Sequence, residues 1–251
     1  MPSPLPVQFS SLGIRRGGVL LVHASLRSLR EPGGPPIPAE TVIQALLDVL
    51  GPQGTLLLPG LSYDTVTSDW PYFDLRSTPC CVGALPEYFR TRPGTLRSIH
   101  PTHSVCATGR LAAELLAGHE LDSTSVGPHS PFSRLPGVNG QILFLGCGLH
   151  SNTSMHGVEE LVEPPYLFYP APLEYHLRLA DGSERRASYR RHYFIGWDQR
   201  YDRVAGLLAR PDLRSGKVLA AECFLLESNA LWPAALAALQ RDPLFFVEPV
   251  P

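Results

Sequence analysis

Residues 143–163 include the side chains whose types and spacing best suit acid–base chemistry. Within this segment, His156 is followed three and four residues later by Glu159 and Glu160. In a helix, both carboxylates would lie on the same face as the imidazole. Because a carboxylate stabilises a protonated imidazole, the spacing predicts a general base. It also describes an ordinary surface pair worth about 0.2–0.5 kcal/mol, so the pattern alone leaves both interpretations open.

The elements on either side of this pair predict a ligand site. A short apolar run at residues 142–145 stops at a glycine, which predicts a buried strand. Polar turn residues follow, and the spacing of residues 154–162 predicts a helix. A strand, a glycine-containing turn and a polar helix start are typical of the places where α/β proteins bind ligands.

Apolar periodicity predicts further strands and helices along the chain. The predicted strands comprise residues 18–23, 54–59, 105–107, 142–145 and 217–224. The predicted helices comprise residues 39–50, 83–90, 111–117, 154–162, 198–208 and 228–240. We therefore expect an α/β fold in one domain over residues 1–251. It should have a central mixed sheet flanked by helices, and a small strand-rich lobe at about residues 166–194 in the second half.

Two further segments carry candidate binding residues. The turn after the first strand, around Ser25, offers backbone N–H groups and a hydroxyl to an anion, and a simple helix cap is the alternative. The long segment 60–82 mixes aromatic and acidic residues, including Asp74, and would suit a cationic or sugar-like ligand. For this segment the alternative is a loop that its own aromatic rings pack together.

The histidines raise the question of a metal site. His100 and His103 form an H-x-x-H pair, but a second half such as H-E-x-x-H is absent from the sequence, and so is a C-x-x-C pair. We therefore expect no metal, and His100 is equally suited to holding the turn at Pro101. The less favoured alternative is a metal-dependent hydrolase that uses four histidines, namely His100, His103, His150 and His156.

The composition argues against several classes of protein. A net charge of −2 does not suit a general nucleic-acid binder. No apolar run approaches the roughly 20 residues that span a bilayer, and the N-terminus lacks the pattern of a signal peptide. Five cysteines without framework spacing predict reduced thiols. We therefore expect a cytoplasmic protein that acts on a small molecule, without a nucleic-acid or membrane partner.

Four motifs, in this order along the chain, resemble those of a known family. They are V-H-A-S-L at residues 22–26, G-T-L with a proline at 54–59, R-S-x-H-P-x-x-S at 97–104 and N-T-S-x-H-x-x-E at 152–159. Each motif alone is weak, but the last two at this separation are specific. The chain resembles the aminoglycoside 3-N-acetyltransferase family, whose fold differs from that of the GNAT acetyltransferases, over nearly its whole length. It departs from the family at Ala24, where a serine is usual.

The resemblance implies an enzyme that moves the acetyl group of acetyl-CoA to the 3-amino group of an aminoglycoside antibiotic, a reaction linked to antibiotic resistance. It also implies that His156 is the general base and that Glu159 supports it. The residues expected to hold acetyl-CoA are Ser25, Leu26, Ser104, Val105 and Thr153. The residues expected to bind the amine substrate are Asp74, His103 and Glu160.

Other functions remain open beside this one. The acceptor is either an aminoglycoside or another amine, such as an amino sugar or a biosynthetic intermediate. A protein that binds CoA without catalysis is a further alternative, as is the hydrolase described above. Under the favoured interpretation, acetyl-CoA is a cosubstrate, no metal is needed, and the protein is a monomer or a homodimer.

Overall fold

The structure is a computed structural model that describes residues 4–31, 33–35 and 37–250. The remaining residues of the predicted domain, which was assigned to 1–251, lie outside the described part of the chain. The α-helices, α1 to α7 in chain order, are Leu5–Leu12, Ala39–Leu50, Ala84–Thr91, Ala112–Leu116, Pro131–Arg134, Met155–Val162 and Ser228–Arg241. The strands, β1 to β12, are Val19–Ala24, Thr55–Pro59, Tyr72–Asp74, Leu96–Arg97, Val105–Gly109, Gln141–Leu145, Leu173–Arg178, Glu184–Tyr189, Trp197–Gln199, Leu213–Val218, Ala221–Glu227 and Val247–Pro249. The 3₁₀ helices are Leu26–Ser28, His119–Leu121, Pro136–Val138, Leu149–Ser151 and Tyr201–Gly206.

A mixed sheet forms the centre of the part of the chain that the structure describes, in the order β10-β11-β6-β1-β2-β5-β4. β1 pairs in parallel with both β2 and β6. The next strands outward, β11 and β5, run antiparallel to β6 and β2. The predicted central mixed sheet is therefore confirmed. Because the three middle strands are parallel, their carboxyl ends meet at one edge of the sheet.

The three parallel strands are buried on both faces because helices cover each side. Their burial is continuous rather than alternating, as in sheets that lie between two layers. Successive side chains point to opposite faces, so Leu20 packs in one hydrophobic core and Leu21 in the other. Helices α1, α2 and α3 contribute Phe9, Leu46 and Phe89 to the first core. The second core is covered by α4 to α7.

A small second sheet lies outside the central one. Its order is β3-β7-β8, with β7 and β8 forming an antiparallel hairpin. The predicted strand-rich lobe at 166–194 includes this hairpin, which pairs residues 173–178 with residues 184–189. β3 comes from the long segment 60–82 and pairs in parallel with β7. That segment is thus fixed by Phe73 in a core of its own with Tyr175 and Tyr189.

Two predicted elements in the last third of the chain are wrong. Residues 198–208 do not form an α-helix, because Trp197–Gln199 pairs as a strand with the distant Val247–Pro249 and a 3₁₀ helix follows at Tyr201–Gly206. Residues 217–224 do not form one strand. They span the turn of a hairpin between β10 and β11, at which Leu219 adopts a positive φ of 54°. Leucine at such a turn gives no sequence signal, since turns of this kind favour glycine or asparagine.

Two helices were not predicted, namely Leu5–Leu12 and the short Pro131–Arg134. Leu5–Leu12 packs Leu5 and Phe9 into the core on the α2 side of the sheet. The segment begins within a proline-rich stretch, which obscured its period, although proline is tolerated within the first turn of a helix. Among the described residues, none of the helices combines the length and apolar character that crossing a membrane requires.

Candidate active site

A cavity opens at the edge of the sheet where the parallel strands end. Its volume is about 780 Å³, which suits a ligand of drug size. Ala24 at the end of β1 and Pro59 at the end of β2 line it, as does Cys147 just after β6. Ligands bind at this edge in many open α/β sheets because the connecting loops diverge there. His156 in the first turn of α6 and Thr153 just before that helix form another part of the wall.

His156 and Glu159 form the predicted pair on α6. His156 Nδ1 lies 3.1 Å from Glu159 Oε2. The Glu159 side chain is fully buried behind the imidazole, whereas the His156 ring lines the cavity. Asn152 Oδ1 accepts hydrogen bonds from the backbone N–H and the hydroxyl of Ser154, which fixes the turn before the helix. The pair is therefore not an ordinary surface pair.

Two tyrosines that sequence reasoning missed hold the Glu159 carboxylate. The Tyr201 hydroxyl donates to Oε2 at 2.7 Å and lies 3.0 Å from His156 Nδ1. The Tyr166 hydroxyl donates to Oε1 at 2.8 Å. Burial, together with the nearby Glu159 charge, raises the pKa of both hydroxyls above the usual range, so both keep the protons that they donate. No local pattern in the sequence connects these tyrosines with α6, since Tyr201 was assigned to a helix.

Two more histidines surround the His156 ring. The ring centroid of His192 lies 4.5 Å from that of His156, and that of His103 lies 5.7 Å away. The His103 and His192 centroids are 5.2 Å apart. Burial lowers the pKa of both His103 and His192 well below the usual value, and the neighbouring histidines contribute to this lowering. Both rings are therefore neutral at pH 7. His192 had no sequence signal, because it is an isolated histidine in an irregular segment.

Glu160 lies behind the cavity wall and contacts His192. Its Oε1 accepts a hydrogen bond from the Val126 backbone N–H at 2.8 Å and lies 2.8 Å from His192 Nε2. Burial raises the pKa of the Glu160 carboxyl to about 7. Because Glu160 is not among the described residues that line the cavity, its contact with a ligand would be indirect, through His192.

Asp198 is the one carboxylate among the described residues that line the cavity. It lies on β9, within the segment that sequence reasoning assigned to a helix. The guanidinium of Arg191 also lines the cavity and stacks on Tyr169 at 4.2 Å. Most of the remaining wall at this end is aromatic, including Phe194 and Trp197. This end of the cavity therefore combines aromatic rings with one acidic and one basic side chain.

Comparison with known proteins identifies the family. A family model described as aminoglycoside 3-N-acetyltransferase matches residues 21–240. The chain belongs to the aminoglycoside 3-N-acetyltransferase family. Aminoglycoside N(3)-acetyltransferase IV from Salmonella sp. is 34% identical to it over 248 residues, which cover 96% of this chain and 88% of the relative. The predicted family is thus confirmed, and with it the class of acetyl-transferring enzymes.

Solved structures of the family have the same fold. A histidine-to-alanine mutant of aminoglycoside acetyltransferase AAC(3)-IVa, in complex with a gentamicin, matches with a TM-score of 0.81 and 32% identity, covering 98% of this chain and 90% of that one. The binary complex of AAC-IIIb with CoASH matches with a TM-score of 0.79 and 28% identity, covering 98% of this chain and 97% of that one. The predicted α/β architecture is therefore confirmed as that of the family.

The residues expected to hold the donor occupy two different environments in this acetyltransferase. Thr153 lines the cavity, and Ser25 and Leu26 directly follow Ala24, which lines it. Ser104 and Val105 are fully buried and lie outside the lining. The Ser104 hydroxyl donates to the Gly60 carbonyl at 2.7 Å and accepts from Arg97 Nε at 2.8 Å, so it is already occupied within the protein.

The other site residues considered from the sequence also differ in whether they line the cavity. His103 lines the cavity, whereas Asp74 lies on the small sheet and accepts hydrogen bonds from the backbone N–H groups of Arg76 and Ser77. His100 Nδ1 accepts from the backbone N–H groups of Thr102 and His103, which is the turn-holding role considered for it. Of the four histidines of the hydrolase alternative, His103, His150 and His156 line the cavity. The cluster with metal-ligand spacing among the described residues is a different set, His103, His156 and His192.

The buried neutral histidines predict a loss of stability in acid. Burial lowers the pKa of His119 from 6.5 to about 3. Between these values the unfolded chain binds a proton at this position and the folded chain does not. The contribution of His119 is therefore fully present above pH 6.5 and is lost as the pH falls toward 3. His119→Asn can keep the contact with Ser98 but lacks the titrating ring. Between pH 6.5 and 5 the free energy of unfolding should therefore fall less for His119→Asn than for the wild type, and the difference between the two decreases should be roughly 1.5 kcal/mol.

Urea unfolding of both proteins at the two pH values measures this difference. Equal losses in the wild type and His119→Asn would contradict the assignment of a neutral buried ring to His119.

Proposed function

We propose that the enzyme transfers the acetyl group of acetyl-CoA to the 3-amino group of an aminoglycoside, with His156 as general base and Glu159 as its supporting carboxylate. The observation that carries this proposal is the position of the His156 ring. One ring nitrogen is engaged by Glu159 and Tyr201, and the ring itself lines the cavity. A base in this position can reach a bound amine while its orientation is fixed from behind.

The reaction requires a base because an alkyl ammonium has no lone pair. His156 would take a proton from the amine as its nitrogen attacks the thioester carbonyl of acetyl-CoA. The tetrahedral intermediate then expels the CoA thiolate, which leaves the acetyl group on nitrogen. The imidazolium that forms on His156 is balanced by the buried Glu159 carboxylate, which Tyr166 and Tyr201 hold in place.

A donor site at the ends of β1 and β6 supports the choice of acetyl-CoA. The relative AAC-IIIb is known in complex with CoASH. In this chain, the turn at Ser25 and Leu26 follows β1, and Thr153 precedes α6 on the adjacent edge. Backbone N–H groups of such turns are suited to an oxyanion or a phosphate. In this proposal neither Ser104 nor Val105 touches the donor directly. Ser104 acts through the backbone of Gly60, and Val105 acts through Pro59, its partner in the sheet, which lines the cavity.

An acceptor site beside Asp198 and His103 supports an amino-sugar substrate. The relative AAC(3)-IVa is known with a gentamicin. In this chain, Asp198 would receive an ammonium group of the acceptor, and the aromatic wall would pack against its sugar rings. Asp74 and Glu160 would contribute only indirectly, since the lining excludes both among the described residues.

The charges in the cavity wall also suit a second class of acceptor. An aminoglycoside carries several ammonium groups, yet Asp198 is the lone carboxylate of the described lining and Arg191 lies in the same wall. This charge balance also suits an acceptor with fewer amines, such as a simpler amino sugar or a biosynthetic amine. The chemistry at His156 would be the same for both classes.

Replacing His156 tests the base. We expect His156→Ala to lower turnover by about 10²- to 10⁴-fold, the range for a positioned acid–base group. The measurement is free-thiol release from acetyl-CoA with a panel of aminoglycosides and simpler amino sugars. His176→Ala is the matched control, because His176 lies on the small sheet and stacks on Tyr72 away from the cavity. Near-full turnover in His156→Ala, with the control also active, would contradict the role.

Replacing Glu159 tests the support of the base. Glu159→Gln removes the negative charge but keeps an oxygen that can accept a tyrosine hydrogen bond. We expect turnover to fall by about ten- to hundredfold, because hydrogen bonds to charged groups contribute about 1.5–3 kcal/mol. The loss should lie mainly in kcat rather than in KM, since the charge balances an imidazolium that forms only during the reaction. A change confined to KM would instead assign Glu159 to binding.

Replacing Asp198 tests the acceptor site. We expect Asp198→Asn to raise KM for a polyamine acceptor by about tenfold, the effect of losing one charge-assisted hydrogen bond, with little change in KM for acetyl-CoA. Asp181→Asn is the control, because Asp181 lies in the hairpin turn of the small sheet and is exposed. Equal KM values for Asp198→Asn and the wild type would place the ammonium groups elsewhere.

A further inference from the structure

Three histidines from separate parts of the chain converge in the cavity. His103 precedes β5, His156 lies on α6, and His192 follows β8. One ring nitrogen of each lies within 4.8 Å of the corresponding nitrogens of the other two. The reaction proposed above needs only one histidine as a base, so it does not explain why two further imidazole rings lie this close to His156.

In each ring one nitrogen is already engaged by a second residue. Thr102 Oγ1 lies 2.9 Å from His103 Nδ1, Glu159 Oε2 lies 3.1 Å from His156 Nδ1, and Glu160 Oε1 lies 2.8 Å from His192 Nε2. The second nitrogen of each ring has no hydrogen bond to a described residue, and His192 Nδ1 is buried as well as unpartnered. Metal-binding histidines show this arrangement, in which the other ring nitrogen contacts a carboxylate or a similar group.

We propose that His103, His156 and His192 bind a divalent transition-metal ion, foremost Zn²⁺, and that the bound ion inhibits acetyl transfer. The inhibition rests on the proposed function, because the ion would take the lone pair with which His156 accepts a proton. The binding does not depend on that function. Three imidazoles with a water in the fourth position are a known tetrahedral set for Zn²⁺, and the cavity leaves room for the water.

The geometry and the charges of the site favour such an ion. With Zn–N distances of about 2.0–2.1 Å, the nitrogens of a tetrahedral site lie roughly 3.3 Å apart, so the rings would close from their present separation by small rotations. Glu159 and Glu160 lie directly behind two of the rings and would offset the charge of the ion. Imidazole nitrogen favours Zn²⁺, Cu²⁺ or Ni²⁺ over Mg²⁺ or Ca²⁺, which prefer oxygen.

Zinc binding is tested by titrating the purified enzyme with Zn²⁺ alone and measuring the heat of binding by isothermal titration calorimetry. We expect one ion per chain for the wild type. His192→Ala removes one ligand and should weaken the affinity by more than about 100-fold, and Glu160→Gln, which alters only the residue behind His192, should weaken it by about 10- to 100-fold. His176→Ala is the control that should retain the wild-type affinity. Circular dichroism of each variant establishes that it is folded.

A titration with Co²⁺ identifies the ligand type. Tetrahedral Co²⁺ bound by imidazole has absorption bands in the visible region, whereas a thiolate ligand such as Cys147, which also lines the cavity, adds a charge-transfer band in the near ultraviolet. The expected result is visible bands without the thiolate band. At the same Co²⁺ concentration, the visible bands should be weaker in Glu160→Gln and absent in His192→Ala. Wild-type affinity in both variants, or a thiolate band, would overturn the histidine site.

Activity separates this inference from the proposed function. If the enzyme acetylates an amine, Zn²⁺ should inhibit at the concentration at which it binds, and a chelator should restore turnover. If no amine is acetylated, the calorimetry and the Co²⁺ spectrum still decide whether the site exists. If Zn²⁺ binds in a way that depends on His192 but turnover does not change, the proposed inhibition is wrong. In that case His156 would not serve both as the base and as a metal ligand.

Discussion

The negative charge of Glu159 in the protein interior is the constraint on which the site depends. A carboxylate removed from water is costly unless it is paired and hydrogen-bonded. Tyr166, Tyr201 and His156 supply these partners, and they lie in three separate segments of the chain. The segment after α6 and the 3₁₀ helix at Tyr201–Gly206 must therefore both dock on α6 before the charge is stabilised. The orientation of the His156 ring follows from the same set of contacts.

The packing of α6 against α7 keeps this arrangement in register. A Cβ atom built on Gly157 would lie 2.6 Å from the Trp232 ring, so the glycine beside His156 permits the close approach of the two helices. The parallel strands β1, β2 and β6 place the start of α6 at their carboxyl edge. The glycine thus reflects the close packing of the two helices. The sheet and the two helices together set the position of His156 relative to the turn at Ser25.

Features encoded within a short segment were predictable from the sequence. The apolar runs of β1, β2 and β6, the period of α2, and the spacing of His156 and Glu159 each lie within about a dozen residues. Features that depend on distant partners were not. The strand at Trp197–Gln199 exists because Val247–Pro249 pairs with it, and the roles of Tyr201 and His192 depend on docking against α6. Likewise, the interior position of Ser104 follows from its contact with Gly60, which its motif does not reveal.

The neutral state of the buried histidines bears on both the proposed acceptor and the proposed metal ion. A cavity that receives an ammonium group gains from few positive charges near its base, and burial keeps His103 and His192 uncharged beside His156. A neutral imidazole, however, also presents a lone pair, and three such lone pairs within one small region are what a transition-metal ion binds. The arrangement that would admit a cationic amine to His156 in the proposed reaction would therefore also favour the proposed metal cation. Glu159 would strengthen both tendencies, because a carboxylate behind His156 would stabilise an imidazolium and a metal ion alike.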